Sequence, residues 1–203
     1  PAAAAAPAVK PLAESLTGTA RAEYAAGKVL YMDGDYAGAL VKYQVAYEAS
    51  KDPRLLFNVA ACEKALRHYA KVVKLLEDYK TKAGPMLSAD DKKEADELLA
   101  NLKPLVSPVR VTVSEPDADV YIDDQKIGTS PINESFLVDL GARKLTVRKA
   151  GFKDKTETVN ASGAGEIAIN VQLEKDVHEG LVIVRAGKGD TISIDGKVVG
   201  SDR

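Results

Sequence analysis

Apolar positions along this chain follow two periods. From Leu12 to Leu102 they return every three or four residues, the spacing of one helix face; from Val109 to Leu173 they alternate with polar residues, the spacing of a half-buried strand. Three breaks punctuate the helical stretch, at Gly34-Asp35-Tyr36-Ala37, at Asp52-Pro53 and at Arg67-His68-Tyr69-Ala70. Ser88, with Asp91 three residues on, then makes a near-capping box and opens a fresh helix. That helix carries Ala95, Leu98, Leu99 and Leu102 on one face, and Pro104 comes after its end. Five helices are predicted.

In the second stretch Val109, Val111 and Val113 alternate with Arg110, Thr112 and Ser114. Val120 and Ile122 are the core-facing pair of the next strand, with Tyr121 on its other face. Phe136 and Val138, Leu145 and Val147, Val159, and finally Ile167, Ile169, Val171 and Leu173 continue the series, with Gly- and Pro-bearing turns between them. Short strands at this spacing predict a small antiparallel β-sandwich. The fold class expected is α+β in series. Its parts are a Pro/Ala-rich tether over 1–11, a helical domain over 12–103, a two-proline linker over 104–108 and a sandwich over 109–174. A partial second β module comes after it, over 180–203.

Two internal repeats support this division. "PDADVYIDDQKIG" from Pro116 returns as "KGDTISIDGKVVG" from Lys188, and at the same offset Leu181, Ile183, Ile192 and Gly200 match Val109, Val111, Val120 and Gly128. The second copy covers about a third of the first, so the sequence reads as one whole β module and one cut short. Gly180 to Ala186 is expected to be a strand and Thr191 to Ile194 its hairpin partner. An exposed ribbon this apolar is expected to pair with the first sandwich or with a neighbouring chain. In the helical half, Tyr36-Ala37 returns as Tyr69-Ala70, and at the same interval Gly27 returns as Ala60.

Within "GDYAGALVKYQVAYEASKDP", Gly34, Tyr36, Ala39, Leu40, Tyr43 and Ala46 have the spacing of a tetratricopeptide repeat (TPR), with Pro53 two residues late. "RHYAKVVKLLEDY" is a degenerate second copy, with Val72 where the small Ala belongs. The helical half therefore resembles a TPR pair closed by a capping helix. The resemblance implies a concave groove on the first helix of each pair, holding Arg21, Tyr24, Lys28, Tyr31, Phe57, Asn58, Ala61 and Lys64. Mixed basic and aromatic side chains there suit an extended acidic or C-terminal peptide. Asn58 falls where some peptide-binding TPRs hold a terminal carboxylate, whereas Tyr24 and Lys28 depart from the Lys and Asn of that clamp.

The strand half resembles the PEGA domain, a bacterial β-sandwich module. The matching residues are Pro116-Asp117-Ala118, Val120-Tyr121-Ile122-Asp123, Gly128-Thr129-Ser130-Pro131, Asp139-Leu140-Gly141 and Lys149-Ala150-Gly151-Phe152. Asp117 stands where the family prefers Gly, and Gly189 restores it in the second copy. That position is expected to need a positive φ, which Asp tolerates.

Composition narrows the chemistry. Twenty-eight Lys and Arg against 30 Asp and Glu leave a net charge of −2, which favours neither nucleic acid nor an anionic membrane as main partner. No stretch approaches the ~18 apolar residues of a spanning helix, so no membrane insertion is expected. The start "PAAAAAPAVKP", without Met, reads as a processed or trimmed end. Cys62 sits in a helix among Val59, Ala60, Ala61 and Ala65 and reads as a small buried hydrophobe. His68 lies on the helix's opposite side. With only His68 and His178, no zinc ligand set can be assembled. "GAGEIAIN" and "AGKGD" lack phosphate-loop spacing and read as hairpin turns.

No catalytic residue, cofactor or metal is therefore expected. The two resemblances imply a non-enzymatic interaction or scaffold protein of the bacterial cell envelope, periplasmic or outside the cytoplasm. Its groove would take a peptide or protein partner, and its β module would act as spacer or second surface. The alternative is a cell-wall polysaccharide module on a helical support, with Tyr121 as its sugar platform.

Overall fold

The computed structural model describes residues 10–163, 165–177, 183–185 and 187–201. Its helices are α1 Leu12–Ser15, α2 Gly18–Met32, α3 Tyr36–Ser50, α4 Leu55–Ala65, α5 Tyr69–Ala83 and α6 Ala89–Leu102. The last five are the helices read from the pattern. α1 is one extra turn, separated from α2 because Leu16 and Thr17 are extended. Asp35 caps α3 by accepting from the Gly38 N–H, and Ser88 and Asp91 complete the capping box of α6 in both directions.

The helical repeat holds in the backbone. Shifting α3 by the interval from Tyr36 to Tyr69 gives α5 at both ends, and the last residue of α2 falls on the last residue of α4. The α2–α3 and α4–α5 turns share three backbone hydrogen bonds. Asp33, Gly34 and Asp35 donate to Val29, Tyr31 and Leu30; Leu66, Arg67 and His68 donate to Cys62, Lys64 and Glu63. The middle residue is left-handed in both, Gly34 at φ 83° and Arg67 at φ 63°. The arginine bears roughly 1 kcal/mol there that glycine does not. Gly27 lets α2 and α3 close up, since a Cβ on it would lie 2.9 Å from the Tyr43 ring.

One further step of the same interval leads from α4 to α6, so α6 takes the place of a third first-helix. Beyond it come a 3-10 turn, Lys103–Leu105, and then the sandwich. Val106 and the partly buried Leu105 and Leu137 join Val72, Val73, Leu76, Leu99 and Leu102 in one apolar cluster. The sandwich thus covers the open end of the helical stack, the part a capping repeat plays in a solenoid.

Its strands are β1 Val106–Val113, β2 Asp119–Ile122, β3 Gln125–Thr129, β4 Phe136–Asp139, β5 Gly141–Arg148, β6 Lys155–Ala161 and β7 Ile167–Val171. They form sheets ordered β4-β1-β7 and β3-β2-β5-β6. The inward residues Val109, Val111, Val138 and Val171 of one meet Val120, Ile122, Leu145, Val147 and Val159 of the other. β1 begins at Val106, inside the stretch read as linker. Pro108 is tolerated because β7 pairs only with Val109–Val113, so β1 is still an edge strand there. β1 and β7 run parallel, which makes this the one non-antiparallel pair among the described strands. Asp117 has φ 53° and Gly189 φ 91°, as the comparison of the two copies required.

The tail forms a hairpin, β8 Thr191–Ile194 and β9 Lys197–Ser201. It is the structural copy of β2–β3. Asp119↔Thr129, Val120↔Gly128, Tyr121↔Lys126 and Ile122↔Gln125 become Thr191↔Ser201, Ile192↔Gly200, Ser193↔Val198 and Ile194↔Lys197, with the register slip after the second pair in both. Among the described residues the partner of β8 is thus β9. The Asp195-Gly196 turn, at φ 50° and 76°, is the two-residue type that closes a hairpin. In the first copy β1 and β2 lie in different sheets. Ile183, Val184 and Arg185 are not in a strand, and Gly180, Leu181, Val182 and Ala186 lie outside the described residues, as do residues 1–9 of the tether, His178 and Arg203. Among the described residues the hairpin pairs with neither sheet of the sandwich.

Candidate functional site

Of the residues assigned to a groove, the structure gathers two. Phe57 and Asn58, on the first turn of α4, line an open cleft of about 520 Å³ whose other walls are Lys10, Pro11 and Leu12, Arg54, Tyr79 of α5, and Pro85 to Ser88 with Asp91 at the start of α6. Lys28, Arg21 and Lys64 are solvent-exposed on α2 and α4 and do not line it. Tyr24 and Tyr31 are part-buried in packing: Tyr24 lies 5.9 Å from the Tyr43 ring and Tyr31 5.2 Å from that of Tyr36, edge-on. Ala61 is part-buried and also outside the cleft.

The N-terminal segment decides this arrangement. Leu16 is buried and Leu12 packs on the α2–α4 cluster, so the chain before α2 folds back beside α4. The Arg54 guanidinium donates to the Lys10 carbonyl and is held by Asp52 at 2.6 Å. Burial works to raise the Asp52 carboxyl, and the bonds it accepts from Arg54 outweigh that and leave it below the ordinary carboxylate range. Hydrogen bonding to Asp52 raises Arg54 in turn, against burial. The pair fixes one wall of the cleft and neutralises it.

Phe57 stacks at 45° on Tyr79, 5.3 Å between centroids, and gives the cleft an aromatic floor. Burial, with the Asp91 and Glu94 carboxylates nearby, pushes the Tyr79 hydroxyl up to about 12. A floor of rings and Leu87, and a rim of Lys10, Asn58 and Asp91, can take an extended segment that offers an apolar side chain and main-chain polar groups.

Arg54, Tyr79, Met86 and Asp91 were not picked out from the sequence, although a signal existed for two of them. Arg54 is Arg21 one repeat step on, and Asp91 is Asn58 one step on.

Tyr121 is part-buried on the outer face of β2. The Arg148 guanidinium lies 5.2 Å from its ring centroid and its hydroxyl donates to Asp119 at 3.4 Å. One ring face is therefore covered by a cation.

Cys62 is fully buried, and burial first, then the Glu63 charge, pushes its thiol up to about 11. His68 turns instead to Glu63, Nδ1 to Oε2 2.6 Å. A nucleophile needs a lowered pKa and a base in reach, and Cys62 has neither. Among the described residues no three His, Cys, Asp or Glu side chains converge as a metal site, and no helix is long and apolar enough to cross a membrane.

Residues 106–176 match the PEGA domain family, which covers the whole sandwich from the first residue of β1. No curated protein matches the chain.

Proposed function

We propose that this chain is a non-enzymatic binding and scaffold protein of the bacterial cell envelope. In this reading a TPR-like stack holds an extended segment of a protein partner in the α4–α6 cleft. The PEGA domain closes the stack and serves as spacer or second surface. The observation that supports it most is the repeat itself: α2–α3 and α4–α5 are the same hairpin one step apart, and the cleft opens where the second first-helix faces the third. Stacked helical hairpins present such concave faces to extended partners. The PEGA match supports a location outside the cytoplasm, through what the resemblance implies.

A peptide array probed with the whole chain tests this. Captured peptides should lose at least ten-fold in affinity with Met86→Glu or Lys10→Glu and keep it with Tyr121→Ala. Binding of cell-wall glycan in a pull-down, lost with Tyr121→Ala and kept with the cleft variants, would overturn the reading in favour of a polysaccharide module.

A further inference from the structure

The cleft is the deep end of a longer face. Arg54 and Leu87 are one repeat step apart, as are Asn58 and Asp91, and all four line the cleft, so α4 and α6 turn the same stripe of positions toward it. The stripe runs i, i+3, i+4, i+7, i+10 and i+11, one side of a helix. It starts at Arg21 on α2, at Arg54 on α4 and at Leu87 on the approach to α6.

Charge is divided along this face. On the stripe of α2 the charged residues are Arg21 and Lys28, and on that of α4 Arg54 and Lys64. On that of α6 they are Asp90, Asp91, Glu94 and Glu97. No acidic residue stands on the first two stripes and no basic one on the third. The opposite signs on these helices fall off the stripe. Glu23 pairs with Lys42 at 2.9 Å, Glu63 is buried against His68, and Lys92 and Lys93 lie to the side on α6. Arg54 is spent on Asp52, and Asp91 on the Ser88 cap. Arg21, Lys28, Lys64, Asp90 and Glu94 are exposed, and among the described residues none of them enters an ion pair. The two signs cancel in the small net charge of the chain, which hides the division.

We infer, on the cleft reading proposed above, that this face takes one extended segment with carboxylates at one end and Lys or Arg at the other. The acidic end crosses α2 and Lys64, an apolar side chain sits on the Phe57–Tyr79 floor, and the basic end crosses α6. A uniformly acidic segment would meet the α6 carboxylates, and a uniformly basic one the α2 cations; like charges set against each other are rejected. Lys28 and Glu94 are equivalent places two repeat steps apart, and the small Ala61 between them leaves the path open. Neighbouring helix axes lie about 10 Å apart and an extended chain rises about 3.3 Å per residue, so the two charged ends fall about six residues apart.

Fluorescence anisotropy on residues 1–203 with four labelled peptides is the test. Each peptide has a Gly-Pro-Leu-Pro-Gly centre with three charged residues on either side: Glu before and Lys after, Glu and Lys alternating, all Glu, or all Lys. The first should bind roughly ten-fold tighter than any of the others. Lys28→Glu with Lys64→Glu should make the all-Lys peptide the tightest. Lys92→Glu, off the stripe, should leave the order unchanged. The substituted side chains are exposed, and far-ultraviolet circular dichroism should show the helices intact. Equal binding of the four peptides, still lost with Met86→Glu, would overturn the charge order and leave the cleft reading standing. Binding of none of them, nor of any peptide on the array, would overturn both. A chain that dimerises without peptide, and comes apart with the same two reversals, would give the face to a second copy and overturn the proposal too.

Discussion

The carboxylate of Asp139, on β4 of the sandwich, accepts a hydrogen bond of 2.6 Å from the backbone N–H of Ala70, in the first turn of α5. His68, the residue at the cap position, makes no side-chain cap, because its ring is turned to Glu63. One of the orphan donors of this helix start is thus met by a side chain from the other half of the chain. A negative charge at a helix N-terminus is favoured by the helix dipole as well. Asp139→Ala should therefore cost about 1–2 kcal/mol by urea unfolding, as loss of a good N-cap does. Asp139→Asn should recover part of it. A variant as stable as the parent would show that the contact contributes nothing.

Gly27 sets the distance between α2 and α3. A methyl group there would press on the Tyr43 ring, which is buried and packed on Tyr24 and so cannot swing away freely. Gly27→Ala should lose about 1–3 kcal/mol through overpacking, despite the better helix propensity of alanine. The equivalent place one repeat step on already carries Ala60, which is buried, and Ala60→Gly should cost only about 1 kcal/mol. Thermal melts of both variants should show both losses, with the larger at Gly27→Ala.

Buried hydroxyls and a buried thiol make the helical half sensitive to base. Burial, then the Glu63 charge, holds the Cys62 thiol at about 11 against an ordinary 9.0. Burial chiefly raises Tyr43 and Tyr79 from 10.0 to about 12. The folded state keeps their protons where the unfolded chain gives them up. Their contribution is thus complete below pH 9 and is lost as pH rises through about 11 and 12. Unfolding free energy should fall across this window when followed by far-ultraviolet circular dichroism, and Cys62→Ala should flatten its lower part. Stability that does not change between pH 9 and 12 would contradict the burial of these groups.

Local signals made much of the fold legible. Gly34, Asp35 and Ser88 mark helix ends through their own backbone preferences, and alternation placed Val120 and Ile122 inside and Tyr121 outside. The doubled phrase foretold even the positive φ shared by Asp117 and Gly189. The cleft was not legible, because it depends on where non-adjacent pieces meet. Lys10 reaches it only because the segment before α2 turns back on Arg54, and Tyr24 and Tyr31 leave it because each found another ring to pack on. The Asp139–Ala70 contact has no local pattern at all; a polar residue at a strand end reads as solvated until the helix beside it is known.

The short turn from Lys103 to Leu105 joins α6 to β1 with no free chain between them. α6 is also one wall of the cleft, through Ser88 and Asp91 at its other end. The helix is therefore a rod that runs from the cleft to the sandwich. Any pull on the sandwich passes along that rod, and the same pull bears on the Asp139 anchor at the head of α5, whose far end meets the cleft at Tyr79. The sandwich and the opening are thus tied together by two struts, α5 and α6.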